Sequence, residues 1–328
     1  LGYQHKISPQ ELEEARHLYA ARAGSIAAAP PIKRKRSVRR HHPKLAIPER
    51  NTEQASLGQT FASWIQAFKD TNPGVVYTLD SDCPNIFHIS QEAVLTRGRY
   101  TASHLFPGLN ERLTLTVAKG LAHEGMYPII GARANNLCNV GEEWHGIGID
   151  HLPVLLTGTR PGAVLADWGP EKCSFFDIEI LARPGIQAFQ PSNPRDLVWI
   201  LEKLYSDPAR NLPAYVRIPD FTSPKELPAK TREQRWIDGY DVCHGTALTK
   251  DFIAIIASGD MLHDVLRMVQ CDDVGYRIKI LDLFNLTRVN PLALQANLQG
   301  ASLILSVIEA RSRSISELIF TALTSAQK

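Results

Sequence analysis

At 328 residues, with 44% apolar and 21% charged side chains, the chain can bury two cores of ordinary size. Its 36 Lys and Arg stand against 34 Asp and Glu, and a net charge of +2 marks out no polyanionic partner for the chain as a whole. No apolar run approaches the roughly 18 residues of a membrane span, and the opening LGYQHKISPQ lacks the apolar centre of a secretion signal. The expectation is a cytoplasmic protein without a membrane partner. Five scattered cysteines, Cys83, Cys138, Cys173, Cys243 and Cys271, with no Cys-x-x-Cys pair, suit reduced thiols. No histidine or cysteine spacing suggests a metal site.

In chain order, residues 1–48 read as an N-terminal helix and basic linker. Ser8-Pro9-Gln10-Glu11 is a helix start, and a Pro-Pro break leads into KRKRSVRR, six Lys or Arg among residues 33–40. That run has no interleaved aromatics for base stacking, so a solvated linker is favoured over nucleic-acid binding. From residue 49 to 220 helices and strands alternate. Helices are predicted over 56–69, 109–123 and 193–205, and strands over 74–79, 126–134, 151–158, 185–191 and 213–218. A linker, 221–240, precedes a second α/β unit at 241–328. There, strands over 252–258, 276–281 and 303–308 alternate with helices over 262–270 and after Pro291. The pattern predicts an α/β fold: two domains with mostly parallel sheets flanked by helices. Ligands of such sheets sit beyond the carboxyl ends of the strands, where Asp82, Arg160 and Arg217 fall.

The segment 107–137, PGLNERLTLTVAKGLAHEGMYPIIGARANNL, holds the strongest candidate. Leu109, Leu113, Val117 and Leu121 recur every four residues as an apolar stripe. Gly125 suits a left-handed cap, and the following apolar run suits a buried parallel strand. Glu111 then lies in the first turn of the helix, where the positive end of the dipole favours a carboxylate.

Gly108-Leu109-Asn110-Glu111 before a helix of small residues, then His123-Glu124-Gly125-Met126-Tyr127-Pro128, resembles the pyrimidine-binding domain of transketolases and their thiamine-diphosphate relatives. The resemblance extends over about 56–309, through residues 154–197 and through Asp282-Leu283, Pro291-Leu292 and Ile308-Glu309. It implies the transketolase pyrimidine-binding domain followed by the C-terminal domain. It gives Glu111 the role of protonating the cofactor's aminopyrimidine ring. It sets Asp82 near the thiazolium or the substrate, and Arg133 and Asn136 about where the family carries aromatic rings, leaving Trp144 or a partner chain to supply a stacking ring. Arg160, Lys172 and Arg217 would hold an anionic substrate.

The family's Gly-Asp-Gly motif, with its downstream asparagines, is missing from the sequence. The resemblance therefore implies half of a split enzyme. The companion subunit would carry the pyrophosphate-binding domain and hold most of the Mg²⁺, in an α2β2 heterotetramer. The expected function is transfer of a two-carbon ketol or acyl unit between carbonyl compounds. The alternatives are the β chain of a decarboxylating 2-oxo acid dehydrogenase and a non-catalytic regulatory homologue.

Overall fold

The computed structural model describes residues 56–81, 103–159, 177–181, 185–219, 232–271 and 277–308, with short helical pieces between 316 and 324. All belong to one compact unit, residues 40–328. The N-terminal helix and the basic run, expected within 1–48, lie outside the described residues. Among the described residues, no helix is long and apolar enough to cross a membrane, and no cluster of His, Cys, Asp and Glu could hold a metal ion.

The larger sheet has six parallel strands in the order β2-β1-β3-β4-β6-β5. These are β1 (Val76–Asp80), β2 (His104–Leu105), β3 (Tyr127–Arg133), β4 (Leu155–Thr159), β5 (Gln187–Phe189) and β6 (Ala214–Ile218). Burial on both faces explains why β3, β4 and β6 read as mainly apolar, with Thr157 and Arg217 as buried exceptions. One face is covered by α1 (Leu57–Thr71). This helix starts at a capping box in which Ser56 Oγ accepts from Gln59 N at 3.2 Å and Gln59 Oε1 accepts from Ser56 N at 3.4 Å. Its Trp64 and Phe68 rings stack at 4.7 Å, and Phe68 lies 4.7 Å from Tyr205. Tyr205 belongs to a later helix of the same face, Pro194–Ser206, which starts at Asn193 with Pro at its first position.

The other face carries α2 (Glu111–His123) and α3 (Gly141–Ile149), joined through β3 and a 3₁₀ turn, Asn136–Asn139. Gly125, at φ +83°, ends α2 as expected: Met126 N reaches back to Leu121 O at 3.0 Å, the six-to-one bond of a Schellman motif. The apolar stripe read from the sequence meets the core only in its second half, where Val117 and Leu121 pack against it. Leu109 and Leu113 are exposed, and the helix instead buries Thr114, Leu115, Ala118 and Ala122. Small residues let α2 lie close over β1 and β3, which a count of large apolar side chains does not register. α3 falls between the strands predicted over 126–134 and 151–158, where no helix was predicted. Its glycines are accommodated because Trp144 and Ile147 are driven fully into the core.

The remaining helices are α4 (Asp177–Leu181), α5 (Pro194–Ser206), α6 (Pro208–Asn211), α7 (Arg232–Asp238), α8 (Asp260–Cys271) and α9 (Pro291–Leu298). The second sheet runs β10-β8-β9-β7, with β7 (Tyr240–His244) antiparallel to β9 (Ile278–Leu283), and β8 (Phe252–Ala257) parallel to β9 and β10 (Ala301–Val307). β7 was not read as a strand, and α7 fell within the expected linker. The first part of that linker, 221–231, lies outside the described residues.

The two sheets are stitched together where β5 meets the turn after β9. Gln190 N donates to Phe284 O at 2.9 Å and Leu286 N to Ala188 O at 2.7 Å. A polar cluster seals this seam. Arg235 of α7 grips Asp196 at 2.7 and 3.0 Å and Asp241 at 3.2 Å, and its guanidinium lies over Trp199 and Phe284. Ser192 Oγ donates to Asp282 Oδ1 at 2.6 Å, and the His263 ring contacts Ser192 O.

Asp282 is fully buried, and its Oδ2 has no hydrogen-bond partner among the described residues. Burial, with the Asp196 charge second, pushes its carboxyl up to about 7. A pKa raised on folding contributes stability below the unfolded value of roughly 4, and that stability is lost as pH rises through 7. Asp282→Asn is expected to remove up to one proton's slope, about 1.4 kcal/mol per pH unit, from unfolding free energies between about pH 4 and 7. Urea titrations at several pH values check this.

Candidate active site

Parallel pairing brings the carboxyl ends of β1, β3, β4 and β6 to one rim of the larger sheet. At that rim β1 ends in Asp80-Ser81, and α2 begins with Glu111. Gly108, at φ +104°, turns the chain, and Asn110 caps the helix by accepting from Leu113 N at 2.9 Å. Glu111 is half-buried, with Ser81 Oγ 3.4 Å from its Oε1, a long contact that leaves the carboxylate available.

Two further acceptors near the rim are unspent. Asp80 Oδ1 and Asn135 Oδ1 are shielded from solvent, and neither has a hydrogen-bond partner among the described residues. Asp80 ends β1 and Asn135 follows β3, the strand beside it. A rim of orphaned acceptors around a carboxylate is suited to a ligand rich in N–H donors.

The other Asp80 oxygen, Oδ2, is 2.9 Å from His104 Nε2, and His104 Nδ1 is 2.8 Å from Thr78 Oγ1. All three residues are buried. Lys69 Nζ on α1 donates to Thr78 Oγ1 at 3.1 Å, and burial lowers the Lys69 pKa despite the opposing charge of Asp70. Sequence reasoning missed this row. His104 sits in a two-residue strand with no periodicity to announce it, and only the Thr78/Asp80 alternation on β1 hinted at a shared face.

The other expected residues are placed as follows. Arg133 ends β3 and Asn136 opens the 3₁₀ turn, both half-buried. Asp82, Arg160 and Lys172 lie outside the described residues. Arg217 is not open to a substrate. It is fully buried, with Nε 2.9 Å from Asp177 Oδ2 and Nη1 2.7 Å from Gln190 Oε1. Tyr215 Oη also donates to Asp177, at 2.6 Å, and burial raises the Tyr215 pKa well above its usual value. Trp144 is likewise withdrawn: its ring is fully buried and Nε1 donates to Leu181 O at 2.9 Å. It offers no stacking face, which corrects that expectation.

The fold is that of transketolases. The structure superposes on a transketolase from Campylobacter jejuni with a TM-score of 0.69 at 12% identity, over 92% of this chain and 47% of that one. It matches a split-gene transketolase, described as an inactive β4 tetramer, with a TM-score of 0.61 at 18% identity, over 83% of this chain and 84% of that one. In sequence the chain is similar to 1-deoxy-D-xylulose-5-phosphate synthases. Identity is 26% over 224 residues with that of Parasynechococcus marenigrum, covering 67% of this chain and 33% of the synthase. It is 32% over 126 residues with that of Neisseria meningitidis serogroup C, covering 38% and 19%. The chain thus spans about a third or less of the synthases and about half of the single-chain transketolase. No protein-family model matches it.

Proposed function

We propose that this chain is one subunit of a split, thiamine-diphosphate-dependent transketolase-like enzyme that transfers a two-carbon ketol or acyl unit between carbonyl compounds. The observation that carries the reading is Glu111: a half-buried carboxylate at a helix start, on the strand-end rim, held among the described residues by a long contact to Ser81. The orphaned oxygens of Asp80 and Asn135 support the same ligand, because an aminopyrimidine brings N–H donors to a rim of acceptors. Glu111 would hold the ring, together with Asn136 and Arg133 at the end of β3 and with Asp82. When bound, the cofactor supplies the carbanion chemistry. Glu111 orients the ring and holds a proton at its carboxylate, and the rim excludes water around it.

Division into a pyrimidine-binding domain, 49–220, and a C-terminal domain, 241–328, follows from this reading. So does a companion subunit that holds the diphosphate and Mg²⁺, in an α2β2 assembly. The split-gene transketolase supports a companion, since it covers 84% of its own length in the match where a single-chain transketolase covers 47%. Arg160 and Lys172 remain the candidates to hold an anionic substrate; Arg217, engaged by Asp177, does not.

The test is co-expression with a companion carrying Gly-Asp-Gly and its downstream asparagines, followed by titration with thiamine diphosphate and Mg²⁺. Saturable binding by calorimetry is expected. Absence of binding by the assembled pair removes the reading and favours the regulatory homologue, which the burial of Trp144 also suits. Acyl transfer to lipoamide by the pair identifies the 2-oxo acid dehydrogenase alternative.

A further inference from the structure

Lys69, Thr78, His104 and Asp80 form an unbroken row of hydrogen bonds that ends on the rim beside Ser81 and Glu111. From α1 inward the steps are Lys69 Nζ to Thr78 Oγ1, 3.1 Å; Thr78 Oγ1 to His104 Nδ1, 2.8 Å; and His104 Nε2 to Asp80 Oδ2, 2.9 Å. The outer end is half-buried and the other three residues are at most 2% exposed. At the inner end, Asp80 Oδ1 is shielded and orphaned among the described residues. Among the described residues the sheet's packing gives no reason for a buried His–Asp pair at this place, and a buried polar row of this kind is weak evidence of a stabilising role.

We propose that these four residues are a proton relay joining the α1 surface to the rim that holds Glu111, with Asp80 as its rim terminus. A carboxylate at Oδ2 requires a proton on His104 Nε2, so the neutral ring has a bare Nδ1 that accepts the Thr78 hydroxyl. In one concerted transfer, Lys69 gives a proton to Thr78 Oγ1, the Thr78 hydroxyl proton passes to His104 Nδ1, and the Nε2 proton passes to Asp80 Oδ2. The products are a neutral amine, a neutral imidazole with its proton on Nδ1, and a carboxylic acid. Charge and proton number balance, and the same moves in reverse return the proton to Lys69, whose ammonium exchanges with water. Burial around Lys69 favours this, because it weakens the amine's hold on its proton. Thr78 Oγ1 also has a second acceptor, Ser103 O at 3.3 Å, to which the hydroxyl turns when Nδ1 carries a proton.

Among the described residues, the titratable groups on or beside the row are Lys69 and Asp70 from α1, Asp80 from β1 and His104 from β2. The β3 residues paired with Thr78 and Asp80 are Ile129 and Gly131, which carry none. That the relay serves a ring bound at Glu111 rests on the function proposed above; the relay itself does not.

The test uses the ligand-free full chain, labelled with ¹⁵N-histidine, with His104 assigned by its disappearance in His104→Gln. The exchange of its ring proton with water is read by NMR. Both Thr78→Val and Lys69→Met are expected to slow that exchange about tenfold or more, and Thr78→Ser to restore it. Lys69→Met touches only a half-buried side chain, so it remains informative if Thr78→Val fails to fold. Equal exchange rates in the parent chain and in Lys69→Met overturn the relay. Slowed exchange in a chain whose assembled pair binds no thiamine diphosphate keeps the relay and removes only the ligand reading.

Discussion

Replacing Glu111 by Gln is expected to lower turnover of the assembled enzyme by about 10³-fold while leaving the fold in place, since proton-transfer groups typically contribute 10²–10⁴-fold. The substitution keeps side-chain length and leaves the cap intact, because the bond that starts α2 is made by Asn110, not by Glu111. It exchanges an acceptor-only carboxylate for an amide that cannot hold a proton. Far-ultraviolet circular dichroism and the melting temperature should therefore match the parent chain, and steady-state rates at saturating thiamine diphosphate should not. Unchanged rates would assign the chain to the regulatory reading. Glu111→Asp, which retracts the carboxylate from the rim, should recover only part of the loss.

The largest expected loss of stability follows from Arg235. Its guanidinium is nearly buried between Asp196 and Asp241 and lies against Trp199 and Phe284. Arg235→Met keeps much of the apolar contact but strands three carboxylates, Asp196, Asp241 and Asp282, in one enclosed cluster. Breaking such a buried pair costs about 3–5 kcal/mol. The melting temperature should fall by on the order of 10 °C at neutral pH. The deficit should narrow on acidification, because protonating the stranded carboxylates relieves their repulsion. A deficit independent of pH would mean that packing, not charge, is what Arg235 contributes. Adding Asp196→Asn to Arg235→Met should recover part of the loss, and a double-mutant cycle isolates the pair.

What the sequence made legible and what it hid divide along physical lines. The strand runs around Ile129, Leu156 and Val216 were legible because a parallel sheet covered on both faces needs mainly apolar segments. The helices predicted from 56, 109, 193 and just after 291 were legible in the sequence, and the structure caps them at Ser56, Asn110, Asn193 and Asn290. Glu111 was singled out through a local motif, the Gly108-Leu109-Asn110-Glu111 that resembles the transketolase family's. Part of the packing face of α2 was hidden, because Thr114, Ala118 and Ala122 bury closeness rather than bulk.

Arg217 and Trp144 illustrate a second blindness. Their residue types suit a site, but Asp177 lies 40 positions from Arg217 and Leu181 lies 37 from Trp144, and no spacing rule reports such pairings. The row from Lys69 to Asp80 was hidden for the same reason, since His104 stands 26 residues from Thr78. α7 looked like linker because its apolar residues are few; Trp236 nevertheless stacks on Phe189 at 5.4 Å across the seam.

That seam has a consequence for anyone cutting the molecule. A single apolar cluster runs from Leu79, Ile130 and Leu156 of one sheet to Tyr240, Phe252 and Leu283 of the other. A fragment ended near residue 220, or begun near 240, would therefore carry a torn hydrophobic face rather than a finished surface. The halves are neighbours in sequence but not separable lodgers, since each completes the other's core.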